Sequence, residues 1–162
     1  MNLIRIEKKD ADRLAPLVAD FRVTLNGYRG IASQPRLEAA KEEIMEFLDA
    51  GSPVFAVEDG GELAGYMVCR IEEPCLWVEH LFVREEYRRQ GAATLLFQKA
   101  EAIARAMGED TVFNFVHPNN LGMIGFLRAK GYTVLNMIEI RKPYGGETLT
   151  TTIPVGDAMV DY

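Results

Sequence analysis

The stretch "CLWVEHLFVREEYRRQGAATLLFQKAEAIARAMGED" (Cys75 to Asp110) joins a strand-like run to a helix-like run through a short charged turn. Residues 75–83 are almost continuously apolar, which is typical of a strand covered on both faces. After the turn, apolar residues recur at helical spacing, at Ala92, Leu96, Ala100, Ile103 and Met107. The stretch therefore predicts a strand, a turn that contains Gly91, and an amphipathic helix closed by Gly108.

The turn has the features of an anion site. The first turn of a helix presents unpaired N–H groups and the positive end of the peptide dipole. Glycine lets the backbone approach a ligand, and the neighbouring residues are cationic, small or hydroxylic: Arg88, Arg89, Ala92, Ala93 and Thr94. A plain helix start with a solvated arginine pair is the alternative. Neither the Rossmann nor the P-loop pattern is present.

Composition limits the class of protein. The 162 residues suit one domain with a sizeable core, and 48% hydrophobic with 26% charged residues is typical of a globular protein. A formal net charge of −6 argues against a nucleic-acid partner, and no apolar run is long enough to span a membrane. Cys69 and Cys75 lack metal-ligand companions, so we expect free thiols and no metal site. The charged N-terminus lacks a signal-peptide core, and we expect a cytoplasmic protein.

The remaining pattern predicts a mixed α/β order. The expected elements are a strand at 2–6, a helix after Asp10, a loop at 25–35, a helix at 37–50, a hairpin through Gly60–Gly61, a strand at 111–116, a helix from 117 to Lys130, and strands at 132–140 and 147–153. No linker or repeat interrupts it. We predict one domain over 1–162, in which 144–162 forms a hairpin strand and tail.

Two blocks of sequence resemble a known family. The hexapeptide from Arg88 to Ala93 (RRQGAA) fits R/Q-x-x-G-x-G/A, and "FVHPNNLGMIGFLRAKGY" fits a second block with Val116, Asn120 and Gly131–Tyr132. Together they resemble the GNAT superfamily of N-acetyltransferases. The resemblance implies a mixed, mostly antiparallel central sheet of about seven strands, flanked by about four helices and splayed between strands four and five.

The resemblance also implies the binding residues for acetyl-coenzyme A (acetyl-CoA), a cosubstrate. The backbone of Leu81, Phe82 and Val83 is expected to pair with the pantetheine arm like an added strand. Asn120 is expected to contact pantetheine or to fix its own turn. The expected pyrophosphate site comprises Arg88, Arg89, Gln90, Gly91, Ala92, Ala93 and Thr94.

Glu79 is the candidate catalytic residue. It is a carboxylate within an apolar strand, and partial burial is expected to raise its proton affinity, as suits a general base. A structural carboxylate is the alternative. Leu127 stands where many family members have a tyrosine that protonates the thiolate, so the general acid is not identified. Tyr28 and Tyr66 are expected to line the acceptor pocket, with plain packing as the alternative.

The sequence thus predicts an N-acetyltransferase that moves an acetyl group from acetyl-CoA to a primary amine by direct attack in a ternary complex. The acceptor is a small molecule or a peptide or protein amine. The alternatives are a non-catalytic acyl-CoA-binding module and a nucleotide-binding domain for another phosphate. If "TLTTTIPV" (148–155) forms an edge strand, it can pair across a homodimer.

Overall fold

The computed structural model describes residues 1–162, and their contacts form two compact units. The first unit comprises residues 1–24 and 33–115, and the second comprises residues 25–32 and 116–162. No helix in either unit combines the length and apolar character needed to cross a membrane.

The first unit is a five-stranded sheet with helices. Its elements are β1 (Asn2–Arg5), α1 (Ala11–Tyr28, whose residues 25–28 belong to the second unit), α2 (Leu37–Asp49), β2 (Val54–Asp59), β3 (Glu62–Glu72), β4 (Cys75–Val83), α3 (Ala92–Ala106) and β5 (Phe113–Asn114). The strands lie in the order β1-β2-β3-β4-β5. All neighbours are antiparallel except β4 and β5, which are parallel. The α/β class and the mixed, mostly antiparallel sheet are confirmed.

Strand β4 has two very different edges. Along β3 it pairs from Cys75 to Val83, with one register shift at which Val68 faces His80 and Cys69 faces Val78. Glu79 is therefore the extra residue of a β-bulge, a feature that is frequent beside active sites. Along β5 only Trp77 and Val78 are paired, so β4 continues to Val83 without a neighbour on that side. This is the predicted splay between strands four and five.

The core of the first unit follows from the apolar periodicity of its helices. Helix α1 buries Leu14, Leu17, Val18 and Phe21, and α3 buries its own apolar stripe: Ala92, Leu96, Phe97, Ala100 and Ala104. The sheet supplies the other half of the core, since β3 is buried from Leu63 to Cys69. Each large aliphatic or aromatic side chain buried in this way stabilises the fold by about 1.5–3 kcal/mol.

The second unit contains the end of α1, helix α4 (Leu121–Ala129) and a hairpin of β6 (Thr152–Val155) and β7 (Ala158–Asp161). The hairpin turns at Gly156, which has a φ of 58°. It forms a sheet of its own, so the central sheet has five strands and the predicted total of seven is reached only with the hairpin.

Four boundary predictions are wrong. The loop expected at 25–35 begins later, because α1 continues to Tyr28 and ends before Gly30 (φ 71°). The strand expected at 111–116 is paired only at Phe113–Asn114. Residues 132–140, expected to be a strand, have no regular secondary structure, and of the strand expected at 147–153 only the end falls in β6 (Thr152–Val155). Strand propensity depends on an available partner, and residues 133–143 make no backbone–backbone hydrogen bond in the structure.

A buried polar cluster joins α1, α2, β3 and β4 within the first unit. His80 is 5% exposed, and its Nδ1 lies 3.2 Å from the Tyr66 hydroxyl. Its Nε2 lies 3.3 Å from Glu43 Oε1 and 3.4 Å from Arg22 Nη2. Burial, together with the Arg22 charge, lowers the pKa of His80 from 6.5 to about 3. The imidazole is therefore a neutral structural group that accepts from Tyr66.

We expect His80 to make stability depend on pH. The unfolded chain binds a proton near pH 6.5, whereas the folded chain does not until about pH 3. The free energy of unfolding should fall as pH drops through this window, by up to ~1.4 kcal/mol per pH unit. His80→Gln should lack this pH-dependent part of the free energy of unfolding. When both proteins are unfolded with urea between pH 4 and 7, their free energies of unfolding should therefore converge at low pH. A constant difference between the two curves would contradict the assignment.

Candidate functional site

The turn between β4 and α3 is held in an unusual backbone conformation. Arg89 has a φ of 62° and Gly91 a φ of 94°, both in the left-handed region. Alternation of such residues with ordinary ones turns successive N–H groups toward one side and forms a concave anion-binding nest. Arg89 carries a side chain that disfavours this conformation, and strain of this kind is frequent at functional sites.

Side chains on both sides of Gly91 fix the turn. Arg88 Nε donates to the Val83 carbonyl at 3.0 Å, which ties the turn to the end of β4. Gln90 Nε2 donates to the Glu86 carbonyl at 2.7 Å. Arg89 makes no such hydrogen bond to a backbone carbonyl. Its guanidinium, unlike that of Arg88, is therefore not held by the backbone of the turn.

The start of α3 offers free N–H donors. Gly91 is the N-cap and supplies no capping side chain, and the first helical bond runs from Leu95 N–H to the Gly91 carbonyl. The first turn contains no acidic residue, whereas α2 has Glu38 there and α4 is capped by Asn120. A β-carbon built on Gly91 meets no atom within 4 Å. The space beside the helix start is therefore unfilled at Gly91, as an anion site requires.

A cavity of about 590 Å³ lies beside this helix start. Its lining residues are Met1, Asp59, Gln90, Gly91, Thr94 and Leu95. The Asp59 carboxylate is paired with the N-terminal ammonium group at 3.2 Å, so its charge is partly compensated. Three of the predicted pyrophosphate residues, Gln90, Gly91 and Thr94, line this cavity.

The predicted pantetheine residues lie on the open stretch of β4. Leu81, Phe82 and Val83 pair with β3 through Met67, Tyr66 and Gly65, and their other edge has no strand beside it. Gly65 permits a very close approach, since a β-carbon there would lie 2.6 Å from the Phe82 carbonyl oxygen. The position of this end of β4 therefore depends on the absence of a side chain at residue 65.

Glu79 has a charged partner that the sequence analysis missed. Its carboxylate accepts from Arg70 Nε across the β3–β4 ladder, and its side chain is 22% exposed. Arg70 also pairs with Glu72 and lies over the rings of Trp77 and Phe115, at 5.6 and 5.8 Å from their centroids. The carboxylate thus sits in a charged and aromatic surrounding, in place of the apolar one expected from its strand. The lone arginine at the end of the apolar run of β3 was the available signal.

In the second unit, Tyr28 and Asn120 are brought together. Asn120 Oδ1 accepts from Met123 N–H and from the Tyr28 hydroxyl, each at 3.1 Å, so it caps α4. Asn119 Nδ2 donates to the Tyr28 carbonyl at 2.9 Å. Asn120 therefore fixes its own turn, while its contact with pantetheine stays a prediction.

His117 stacks on Tyr28 with ring centroids 6.0 Å apart. Partial burial and the charge of Arg29 lower the pKa of His117, so it is neutral at pH 7. Its Nδ1 accepts from Asn119 N–H at 3.1 Å, which leaves its proton on Nε2. A neutral imidazole in this tautomer is a hydrogen-bond donor and a poor source of protons.

One position, Tyr66, differs from the sequence picture of the acceptor pocket. Tyr66 is fully buried, and its hydroxyl contacts His80, so it contributes packing and a buried hydrogen bond and no open surface. Leu127, which stands at the position of the missing tyrosine, is buried in α4.

No group of three or more His, Cys, Asp or Glu side chains is arranged to hold a metal ion.

Solved structures share this fold at low sequence identity. A ribosomal-protein-alanine N-acetyltransferase from Brucella melitensis biovar Abortus matches with a TM-score of 0.69 and 15% identity, over 89% of this chain and 100% of its own. An aminoglycoside 6'-N-acetyltransferase from Acinetobacter haemolyticus gives 0.68 and 14%, over 89% and 99%. AAC(6')-Iy, in complex with the bisubstrate analogue CoA-S-monomethyl-acetylneamine, gives 0.66 and 18%, over 88% and 98%.

No curated protein matches the chain significantly. The model of the acetyltransferase (GNAT) family matches residues 19–132, which include β4, the turn at Gly91, α3 and α4. This range covers well over half of the chain. The protein therefore belongs to the GNAT family of acetyltransferases.

Proposed function

We propose that this acetyltransferase moves an acetyl group from acetyl-CoA to a primary amine by direct attack in a ternary complex. The observation that carries the proposal is the juxtaposition of an uncapped, nest-forming helix start with the open edge of β4. The first suits a pyrophosphate, and the second suits an amide-bearing arm. Acetyl-CoA carries both groups in one molecule.

The two halves of the binding site are physically linked. N–H groups from Arg89 to Thr94 would hold the pyrophosphate, assisted by the Arg89 guanidinium. The amides of pantetheine would pair with the backbone at Leu81–Val83, which extends the sheet by one strand-like segment. Because Arg88 Nε donates to the Val83 carbonyl, the turn is tied to the end of the strand edge.

Glu79 would act on the attacking amine. The amine nitrogen forms a bond to the acetyl carbon, the bond from that carbon to sulfur breaks, and the thiolate of CoA leaves. The amine must be neutral to attack, and Glu79 would accept its proton directly or through water. An N–H group of the open β4 edge would polarise the carbonyl. The bulge sets Glu79 beside this edge and out of the regular ladder.

The departing thiolate would take its proton from water. Leu127 supplies no hydroxyl, and His117 is neutral, with its Nδ1 already bonded to Asn119. The Tyr28 hydroxyl is committed to Asn120. Thiols are acidic enough that a thiolate is a tolerable leaving group without a dedicated acid.

The proposed acceptor is a primary amine of a small molecule or a peptide. Proteins with the same fold are named for ribosomal-protein alanine and for aminoglycosides, and both groups of acceptors are amines. Tyr28 stays a proposed residue of the acceptor pocket, and the buried Tyr66 would contribute only packing within the first unit. If the chain only binds acyl-CoA, no amine will release a thiol from acetyl-CoA although binding persists.

Gly91→Glu should abolish acetyl-CoA binding, because it places a carboxylate where the pyrophosphate would lie. In a thermal-shift titration, wild-type protein should be stabilised by acetyl-CoA and CoA more than by ATP, and the variant by none of them. Gly108→Glu is the matched control: it has a similar φ of 87° and equally open surroundings, at the other end of α3. Equal acetyl-CoA affinity in the two variants would refute the phosphate assignment.

Glu79→Gln should keep acetyl-CoA affinity but slow thiol release over a panel of amines by roughly tenfold to a thousandfold, since the base is lost. Turnover should recover partly at high pH, where more amine is already neutral. Glu72→Gln is the matched control, because it also removes a partner of Arg70 but leaves Glu79 in place. Wild-type turnover of Glu79→Gln at every pH would return this carboxylate to a structural role.

Gly65→Ala tests the strand edge separately from the turn. The new methyl group would displace the Phe82–Val83 backbone, since its ideal position lies 2.6 Å from the Phe82 carbonyl oxygen. We expect weaker binding of acetyl-CoA and unchanged binding of ADP, which has a pyrophosphate but no pantetheine. Calorimetry on folded variant protein, checked by circular dichroism, measures both. Equal losses for the two ligands would show that the effect is not specific to the strand edge.

A further inference from the structure

The guanidinium of Arg70 is held on several sides. Its Nε donates to Oε1 of Glu79, and its Nη1 is paired with Glu72. Its central carbon lies 5.6 Å from the ring centroid of Trp77 and 5.8 Å from that of Phe115. A planar guanidinium that lies between carboxylates and aromatic rings loses most of its freedom of movement. Arg70 is therefore a fixed cation, although its side chain is 33% exposed.

The aromatic side of this arrangement has its own support. Trp77 stacks on Phe115 with ring centroids 4.7 Å apart and an interplanar angle of 15°, and its ring lies 4.8 Å from that of Phe113. Trp77 and Phe113 are also partners in the short paired part of the β4–β5 ladder. The three rings thus lie where the two strands are still bonded to each other. The support that they give to Arg70 does not depend on the open edge of β4.

Glu79 lacks the restraints that its neighbours in the strand have. It is the extra residue of the bulge, so no residue of β3 lies directly opposite it. It also follows Val78, the last residue of β4 that is paired with β5, and is therefore the first residue of the open edge. A glutamate side chain has three rotatable bonds, and neither neighbouring strand restrains them here through a directly opposite residue. The contact with Arg70 supplies the missing restraint.

We propose that Arg70 is a positioning residue for acetyl transfer, which fixes the Glu79 carboxylate through Oε1 and leaves Oε2 to receive the proton of the attacking amine. This inference rests on the proposed function, since it takes Glu79 as the base. Oε2 has no part in the hydrogen bond from Arg70. The base is thus oriented before the amine arrives. Such orientation matters for the rate, because a displacement of about 1 Å can cost about a hundredfold.

An ion pair that only stabilises the sheet is the alternative. Arg13 and Glu58 form such a pair away from β4, with side chains 40% and 28% exposed, against 33% for Arg70 and 22% for Glu79. Because both pairs are partly exposed, the loss of either should cost a similar and small amount of stability. Glu58 has no proposed chemical role. Arg13→Gln is therefore the matched control for Arg70→Gln.

A double-mutant cycle tests whether Arg70 acts through Glu79. We expect Arg70→Gln to lower kcat for thiol release about tenfold, with the affinity for acetyl-CoA unchanged in calorimetry. In the Glu79→Gln background the same substitution should change kcat by less than about twofold, because no base is left to orient. Arg13→Gln should leave kcat unchanged in both backgrounds. Arg70→Lys should recover part of the loss, since an ammonium group pairs with the carboxylate but lacks the planar fork.

A second variant tests the aromatic support and leaves the ion pair in place. Phe115 is 53% exposed, so Phe115→Leu should keep the fold, which circular dichroism checks. It removes one of the two rings that contact the guanidinium of Arg70, and it should lower kcat about threefold, again only where Glu79 is present. A wild-type kcat in this variant would overturn the role given to the rings.

The outcomes separate this inference from the proposed function. A wild-type kcat in Arg70→Gln, or a loss of the same size in the Glu79→Gln background, would overturn the positioning role while the proposed function stands. If Arg70→Gln does not fold, Arg70→Lys and Phe115→Leu carry the same cycle. Thiol release with no amine, or a Glu79→Gln protein as fast as wild type, would instead refute the proposed function and this inference with it.

Discussion

The arrangement of the candidate site depends on one constraint, the unequal pairing of the two edges of β4. Its edge toward β3 is bonded from Cys75 to Val83, which fixes the strand in the sheet. Its edge toward β5 is bonded only at Trp77 and Val78. Unpaired backbone groups on a strand edge recruit another strand or an extended ligand. The stability of the sheet and an open binding edge therefore come from the same strand.

The turn that follows β4 complements this open edge electrostatically. A protein with a formal net charge of −6 does not attract an anionic ligand through its overall field. Attraction must be local, and it comes from backbone dipoles of the α3 start and from the two arginines of the turn. The left-handed conformation of Arg89 has a steric cost, which the hydrogen bond from Arg88 Nε to the Val83 carbonyl helps to offset. Strand end and helix start thus form one preorganised surface.

Local patterns predicted the fold wherever local physics decides it. Gly91, the hairpin turn at Gly60–Gly61 and the apolar period of α3 specify backbone conformation directly, and the structure follows them. Prediction failed where a partner decides the outcome. Residues 133–144 have strand composition without a paired neighbour. The burial of Tyr66 and the pairing of Glu79 with Arg70 arise from tertiary contacts that residue spacing does not encode.

Arg70 bears on how Glu79 would act on the amine, as the general base proposed above or as an anchor for a protonated amine. An anchor would attract a protonated amine, but the guanidinium already occupies the carboxylate and lies over Trp77 and Phe115. A second cation would have to approach this charge, and repulsion between like charges favours the neutral form of an incoming amine. The neutral form is also the nucleophilic one. The surroundings of Glu79 therefore disfavour the anchor, because a protonated amine would lie beside the Arg70 guanidinium.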